Sequence, residues 1–328
     1  MKMRIKLPKL SFKFKKEKIK KIFSWPFWPL FIALSFLFLP GNSFYETLDL
    51  SSGAVAPDEK TENLPSLPNL QVKILSGEPQ IAARSALLAD YDSGQILYQK
   101  NIDQALPMAS LTKIMTALII LEEIPQEEII TVSRVSAEGK TVGLSVGEQF
   151  LVSDLVYALL VMSGNDVAEI LAQSYPGGRI AFIARMNEKA RQLGLTKTSF
   201  VNPHGLDQVG HYSSARDLFA LTNYALKNDL FREIIKKNNG LICDLTRNSC
   251  YQIEATNELI SFPGVLGVKT GYTDQAGGCF VGFWEQEDRR FLSVILGSNN
   301  RFWETQNLLG WGMVSFLPEK VNLLDFLD

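Results

Sequence analysis

Ser110-Leu111-Thr112-Lys113 is followed by Ile114, Met115, Leu118, Ile119 and Leu121 at helical spacing, and Pro125 ends the run. If Ser110 opens this helix, Lys113 falls one turn later on the same face, and its amine lies within reach of the Ser110 hydroxyl. Two further signals come in order: Ser163-Gly164-Asn165 after Leu159-Leu160-Val161-Met162, and Lys269-Thr270-Gly271 closing an apolar stretch with Val265, Leu266 and Val268. Ser-x-x-Lys and Ser-x-Asn each occur about once by chance in a chain of this length, so neither carries weight singly. Order and context carry it. Ser298-Asn299-Asn300 also fits Ser-x-Asn, but it comes after Lys-Thr-Gly and outside any apolar helical pattern.

The three signals together describe a serine acyl-transfer site that needs no histidine. A serine hydroxyl is a weak nucleophile until something accepts its proton, and lysine does so only when neutral near pH 7. Burial of Lys113 and a second cation, Lys269, both push it that way. The helix N-terminus at Ser110 adds partial positive charge for an oxyanion. Ser163 is placed to relay a proton, and Asn165 to hold a substrate carbonyl and contact Lys113. An edge strand would present Lys269 and Thr270 to the cleft, with Gly271 letting substrate backbone approach. The amides of Ser110 and Tyr272 would then form an oxyanion hole. Each element alone has an ordinary structural explanation: a helix cap, a helix C-terminal turn, a strand ending in a turn.

Of the 33 Lys and Arg residues, ten lie within residues 1–21 against one acid, Glu17, which leaves 23 basic and 34 acidic residues beyond. The body is acidic, so nucleic acid is excluded as a partner, because phosphate neutralisation requires a basic surface. The basic segment, 1–21, runs into an uncharged stretch, 22–39, as a cytoplasmic flank runs into a signal anchor or signal peptide. Both readings imply export. An anchor would leave a single-pass protein of the cell membrane with its catalytic domain outside the cytoplasm; cleavage near Gly41-Asn42-Ser43 would secrete it. Residues 40–78, with Pro57, Pro65 and Pro68, read as a flexible linker, and 79–320 as one catalytic domain with no second domain after it.

Within that domain, Ser85–Tyr91 and Gln95–Gln99 flank the turn Asp92-Ser93-Gly94 as a hairpin. Ser153 to Ala172, Arg179 to Leu193 and Ser214 to Lys227 show helical periodicity, with Ser153 and Ser214 as N-caps. Leu241 to Ile253, Val265 to Thr270, Gly278 to Trp284 and Phe291 to Gly297 read as strands, and Arg301 to Phe316 as a closing helix. Cys243 and Cys250 can meet across a hairpin as a disulfide or remain two buried thiols. Cys279 reads as a small core residue. His204 and His211 lie in turn-rich segments without metal-ligand spacing and read as structural, so no metal and no cofactor is expected.

Pro107-Met108-Ala109-Ser110-Leu111-Thr112-Lys113, Ser163-Gly164-Asn165-Asp166, Asn202-Pro203-His204-Gly205-Leu206 and Gly267-Val268-Lys269-Thr270-Gly271-Tyr272-Thr273 resemble the serine D-alanyl-D-alanine carboxypeptidases, the low-molecular-weight penicillin-binding proteins. The likeness runs from about Ile81 to Phe316. It implies an α+β fold shared with serine β-lactamases: an antiparallel sheet flanked by helices with a helical subdomain beside it. It also implies peptidoglycan stem peptides as substrate, an acyl-enzyme on Ser110, and β-lactams as covalent inhibitors. Lys269 and Thr270 would bind the terminal carboxylate, with Arg301 assisting. Many members carry a second, β-rich domain and a C-terminal amphipathic helix, and this sequence reads as stopping before either. DD-endopeptidase activity on cross-links is therefore the alternative. A serine β-lactamase is less favoured, because no Glu-x-x-Leu-Asn segment supplies a deacylation base; a silent penicillin-binding module is disfavoured by intact Ser110 and Lys113.

Overall fold

The computed structural model describes residues 77–133, 137–286 and 288–315. The basic segment, the uncharged stretch and nearly all of the linker lie outside the described residues.

Strands β1 (Ser85–Asp90) and β2 (Ile96–Lys100) form the expected hairpin, closed by Gly94 in the left-handed region and by Asp90 accepting from the Ser93 amide at 2.8 Å. They join β7 (Val265–Thr273), β8 (Gly277–Gln286) and β9 (Arg289–Ser298) in one antiparallel sheet of order β2-β1-β9-β8-β7. Both faces of this sheet are apolar, and the two-residue alternation of a strand divides them. Leu87, Ala89, Leu292, Val294 and Leu296 enter the main core, whereas Ala86, Leu88, Phe291 and Ile295 meet Leu308, Leu309 and Trp311 of the closing helix on the other side.

The helices are α1 (Lys113–Glu123), α2 (Val152–Val161), α3 (Asn165–Ser174), α4 (Gly178–Gln192), α5 (Ala215–Ala225), α6 (Asp229–Ile235) and α7 (Arg301–Ser315). Every residue of α1 from Lys113 to Ile120 is buried, because α2 to α6 all pack around it. A helix apolar on all sides belongs in such a centre. Short pairs β3 (Ile129–Thr131) with β4 (Gln149–Leu151), and β5 (Asn239–Cys243) with β6 (Cys250–Glu254), flank this subdomain. The α+β architecture read from the sequence is the one observed.

Three local expectations need correction. The stretch from Ser153 to Ala172 is two helices, because Ser163 takes φ +68° and Gly164 is extended, so the first helix ends at Val161 and the next starts at Asn165. Ser153 is not a cap: α2 starts one residue earlier, after an extended Leu151, whereas the Ser214 hydroxyl does cap α5 by accepting from the Asp217 amide at 3.1 Å. Helix α6 was not anticipated, although Asn228 caps it by accepting from the Phe231 amide at 3.0 Å. The register pairs Cys243 with Cys250, and the two form a disulfide.

Candidate active site

Ser110 lies in a 3-10 turn, Ala109–Thr112, and α1 starts only at Lys113, so the serine precedes the helix proper. The turn is tight: Ala109 has φ +49°, a conformation costly for a residue with a Cβ. Thr112 holds it from below by donating to the Ala109 carbonyl at 2.8 Å. His211 holds Thr112 in turn. Its Nδ1 accepts from the Val201 amide at 3.2 Å, which leaves the ring hydrogen on Nε2 for Thr112 Oγ1 at 2.7 Å. Burial, first, and the nearby His204 push the His211 pKa down to about 4, so this ring is a neutral structural wedge.

Lys113 is fully buried, and its Nζ reaches three oxygens: Ser110 Oγ at 3.0 Å, Asn165 Oδ1 at 2.6 Å and the His204 carbonyl at 2.7 Å. Asn165 is oriented for this, since its Nδ2 donates to the Glu138 carbonyl at 2.6 Å and turns Oδ1 toward the amine. That bond uses a donor the sequence reading had offered to a substrate carbonyl. Desolvation, then the charge of Lys269, drive the Lys113 pKa well below the usual lysine value, while Asp166 opposes them. A neutral amine has two hydrogens and one lone pair. The Asn165 and His204 oxygens can only accept, so they take the two hydrogens and leave the lone pair to the Ser110 hydroxyl.

Ser163 is nearly buried at the helix break, but its hydroxyl is not among the partners of Lys113 Nζ. Strand β7 is an edge strand, as expected, and Lys269 and Thr270 on it are both buried. Lys269 Nζ donates to the Thr270 carbonyl at 3.2 Å, and the Thr270 hydroxyl shares a 2.6 Å hydrogen bond with Thr256. Burial and the charges of Lys140 and Arg301 lower the Lys269 pKa to about 7. Arg301, at the start of α7, has a buried Nε without a partner and stacks its guanidinium on Phe302 at 4.5 Å. Lys269, Arg301 and Lys140 therefore make a cationic wall suited to a carboxylate. Tyr272 is exposed.

Gly271 answers to a different neighbour than anticipated. A Cβ there would lie 2.8 Å from the Ser110 amide nitrogen, so the close approach is between β7 and the Ser110 turn. Lys140, Glu169, the His204 carbonyl and Gly205 were missed as site groups. Asp166 brings Lys140 in by accepting from the Val142 and Gly143 amides at 3.0 and 2.7 Å, which folds that loop over α3. Glu169 carried a signal, its position one helical turn after Asn165. Among the described residues, no His, Cys, Asp and Glu cluster suits a metal ion. The Cys279 thiol is buried, and that burial raises its pKa to about 11, so it is not a nucleophile at neutral pH.

A Ser-Lys pair whose lysine is buried, set between an antiparallel sheet and a helical subdomain and facing a cationic edge strand, defines the serine acyl-transfer class in which lysine replaces histidine. The chain belongs to the D-alanyl-D-alanine carboxypeptidase family, whose pattern matches residues 73–300. It is 37% identical over 228 residues to the D-alanyl-D-alanine carboxypeptidase DacF of Bacillus subtilis (strain 168), across 66% of this chain and 58% of that protein. It is 35% identical over 210 residues to a D-alanyl-D-alanine endopeptidase of Pseudomonas aeruginosa, across 62% of this chain and 67% of that one. Cefotaxime-bound Penicillin-Binding Protein D2 from Listeria monocytogenes superposes with a TM-score of 0.65 at 31% identity, over 73% of this chain and all of that one. The chain spans 58% to 66% of the length of the carboxypeptidases DacF, DacC and DacA that it matches.

Proposed function

We propose that this protein is a serine DD-carboxypeptidase that removes the terminal D-Ala from peptidoglycan stem peptides. The observation that carries the reading is Lys113 Nζ, buried 3.0 Å from Ser110 Oγ with its two hydrogens committed elsewhere. Lys113 takes the Ser110 proton as Oγ attacks the carbonyl of the penultimate D-Ala. The Ser110 and Tyr272 amides receive the oxyanion. The peptide C–N bond breaks, a proton reaches the leaving amine through Ser163, and water then hydrolyses the Ser110 ester. Lys269, Thr270 and Arg301 bind the terminal carboxylate, and Gly271 keeps β7 against the Ser110 turn. A β-lactam enters the same site and stalls at the acyl-enzyme, in keeping with the cefotaxime-bound relative.

The catalytic body works outside the cytoplasm, held to the membrane by the segment before residue 40. The Cys243–Cys250 disulfide supports this placement, because such bridges persist in oxidising compartments. The relative named an endopeptidase keeps cleavage of cross-links as the second reading.

The test incubates the full chain, wild type beside Ser110→Ala, with a stem pentapeptide and a fluorescent penicillin. D-Ala release and covalent labelling that both vanish in the variant are expected. Labelling without release, with cleavage of cross-linked muropeptides, would move the substrate to cross-links. Neither signal in the wild type would overturn the catalytic reading.

A further inference from the structure

We propose that Glu169 is a positioning residue for acylation: through the His204 ring it fixes the His204 carbonyl which, with Asn165 Oδ1, holds the Lys113 amine against Ser110. The inference rests on Lys113 acting as the base.

The two acceptors of Lys113 come from separate elements. Asn165 opens α3, whereas the His204 carbonyl belongs to the turn Asn202-Pro203-His204-Gly205-Leu206. Local bonds shape that turn: Asn202 Oδ1 accepts from the Gly205 amide at 2.7 Å, and Thr116 Oγ1 donates to the Pro203 carbonyl at 2.6 Å. The Glu169 side chain ties it to α3. Glu169 is one turn beyond Asn165 on the same helix face and is 5% exposed. The Leu206 amide donates to His204 Nδ1 at 3.1 Å, which puts the ring hydrogen on Nε2, 3.1 Å from Glu169 Oε1. One helix therefore supplies an acceptor to Lys113 directly and positions the other through a histidine.

The second carboxylate oxygen, Oε2, accepts from Arg179 Nε of α4 at 2.8 Å. A carboxylate this buried requires such partners. The two contacts separate experimentally, because Arg179→Ala keeps the bond to His204 and removes only the tie to α4. The charged groups around the assembly are Lys269 and Asp166 at Lys113 and Arg179 at Glu169, and the neutral His211 ring is the titratable group beside His204.

The experiment measures penicillin acylation of the full chain against pH for the wild type, Glu169→Ala, Glu169→Gln and Arg179→Ala, with thermal melts of each. Lysine 15N NMR titration of Lys113 runs in parallel and needs no turnover. In Glu169→Ala the acylation rate should fall by about 10- to 100-fold, as misplacement of a reacting group by an ångström does. The acid limb and the Lys113 titration should both move to higher pH, because a loosened amine is better hydrated when charged. Glu169→Gln, whose amide oxygen still accepts from His204, should restore the rate to within about threefold of wild type. Arg179→Ala should lower the melting temperature without moving either titration.

Unchanged rate and titration in Glu169→Ala would overturn the proposal, as would an equal shift in Arg179→Ala, which would make the carboxylate a packing element. A wild type that resists labelling defeats the functional reading instead, and the NMR titration still decides the role of Glu169.

Discussion

Gly205 is pressed so closely on Ala109 that a Cβ at position 205 would lie 2.0 Å from the Ala109 carbonyl oxygen and 2.9 Å from the Ser110 nitrogen. Gly205 has φ +97° and Ala109 has φ +49°, so the turn that presents Ser110 is clamped by a backbone only glycine supplies. Gly271 presses on the same Ser110 amide from β7. The nucleophile is thus set by two glycines distant from it in the chain.

Gly205→Ala should destabilise the protein by about 3 kcal/mol, combining overpacking with backbone strain. Because the atoms it meets are backbone, the Ser110 turn must shift, and penicillin labelling should fall even at temperatures where the variant stays folded. A urea melt and a labelling time course read the two effects. A variant with wild-type labelling would show that the turn tolerates displacement.

His211 makes folding sensitive to acid. Its folded pKa, about 4, is depressed below the ordinary 6.5, so between these values the unfolded chain binds a proton that the folded chain does not. Stability from this group is therefore complete above about pH 6.5 and is lost as the pH falls toward 4, a loss of about 3 kcal/mol. Comparing urea midpoints across this window, wild type against His211→Gln, should show a flatter dependence in the variant. Parallel curves would remove His211 as the cause.

Arg301→Gln should weaken recognition of a free C-terminus. Loss of one charge-assisted contact costs about 2 kcal/mol, and the deficit should appear in kcat/KM for the peptide acid and shrink for its amide. Equal loss on both substrates would mean that Arg301 acts on the fold of the cleft instead.

The Cys243–Cys250 bridge closes a short hairpin docked on β4, where Asp244 Oδ1 accepts from the Gln149 amide at 2.8 Å and the Leu245 amide donates to the Gln149 carbonyl at 2.9 Å. Replacing both cysteines by serine should cost about 2 kcal/mol of stability, as expected for a small loop, and leave labelling of Ser110 intact. Calorimetry and labelling check this together; lost labelling would tie the hairpin to the site.

Elements and local chemistry were legible in the order of the residues. Apolar runs bounded by turn-rich pieces placed β7, β8 and β9, and helical periodicity placed α1, α4, α5 and α7, since neighbours along one element share a face by geometry alone. The Ser110–Lys113 pair was legible for the same reason, its members being three residues apart. The break at Ser163 was legible only as one of two readings, a helix C-terminal turn at Ser163-Gly164-Asn165, because the helical periodicity runs on past it to Ala172. What surrounds the amine depends on contacts between distant parts of the chain. Asn165 is 52 residues from Lys113 and His204 is 91 away, and the group that His204 offers is a backbone carbonyl, which every residue carries and no side-chain pattern can announce. Burial of Lys113 likewise follows from α2 to α6 closing around α1. The shift in its pKa is a property of that enclosure, since removing the charged amine from water is what disfavours its protonated form.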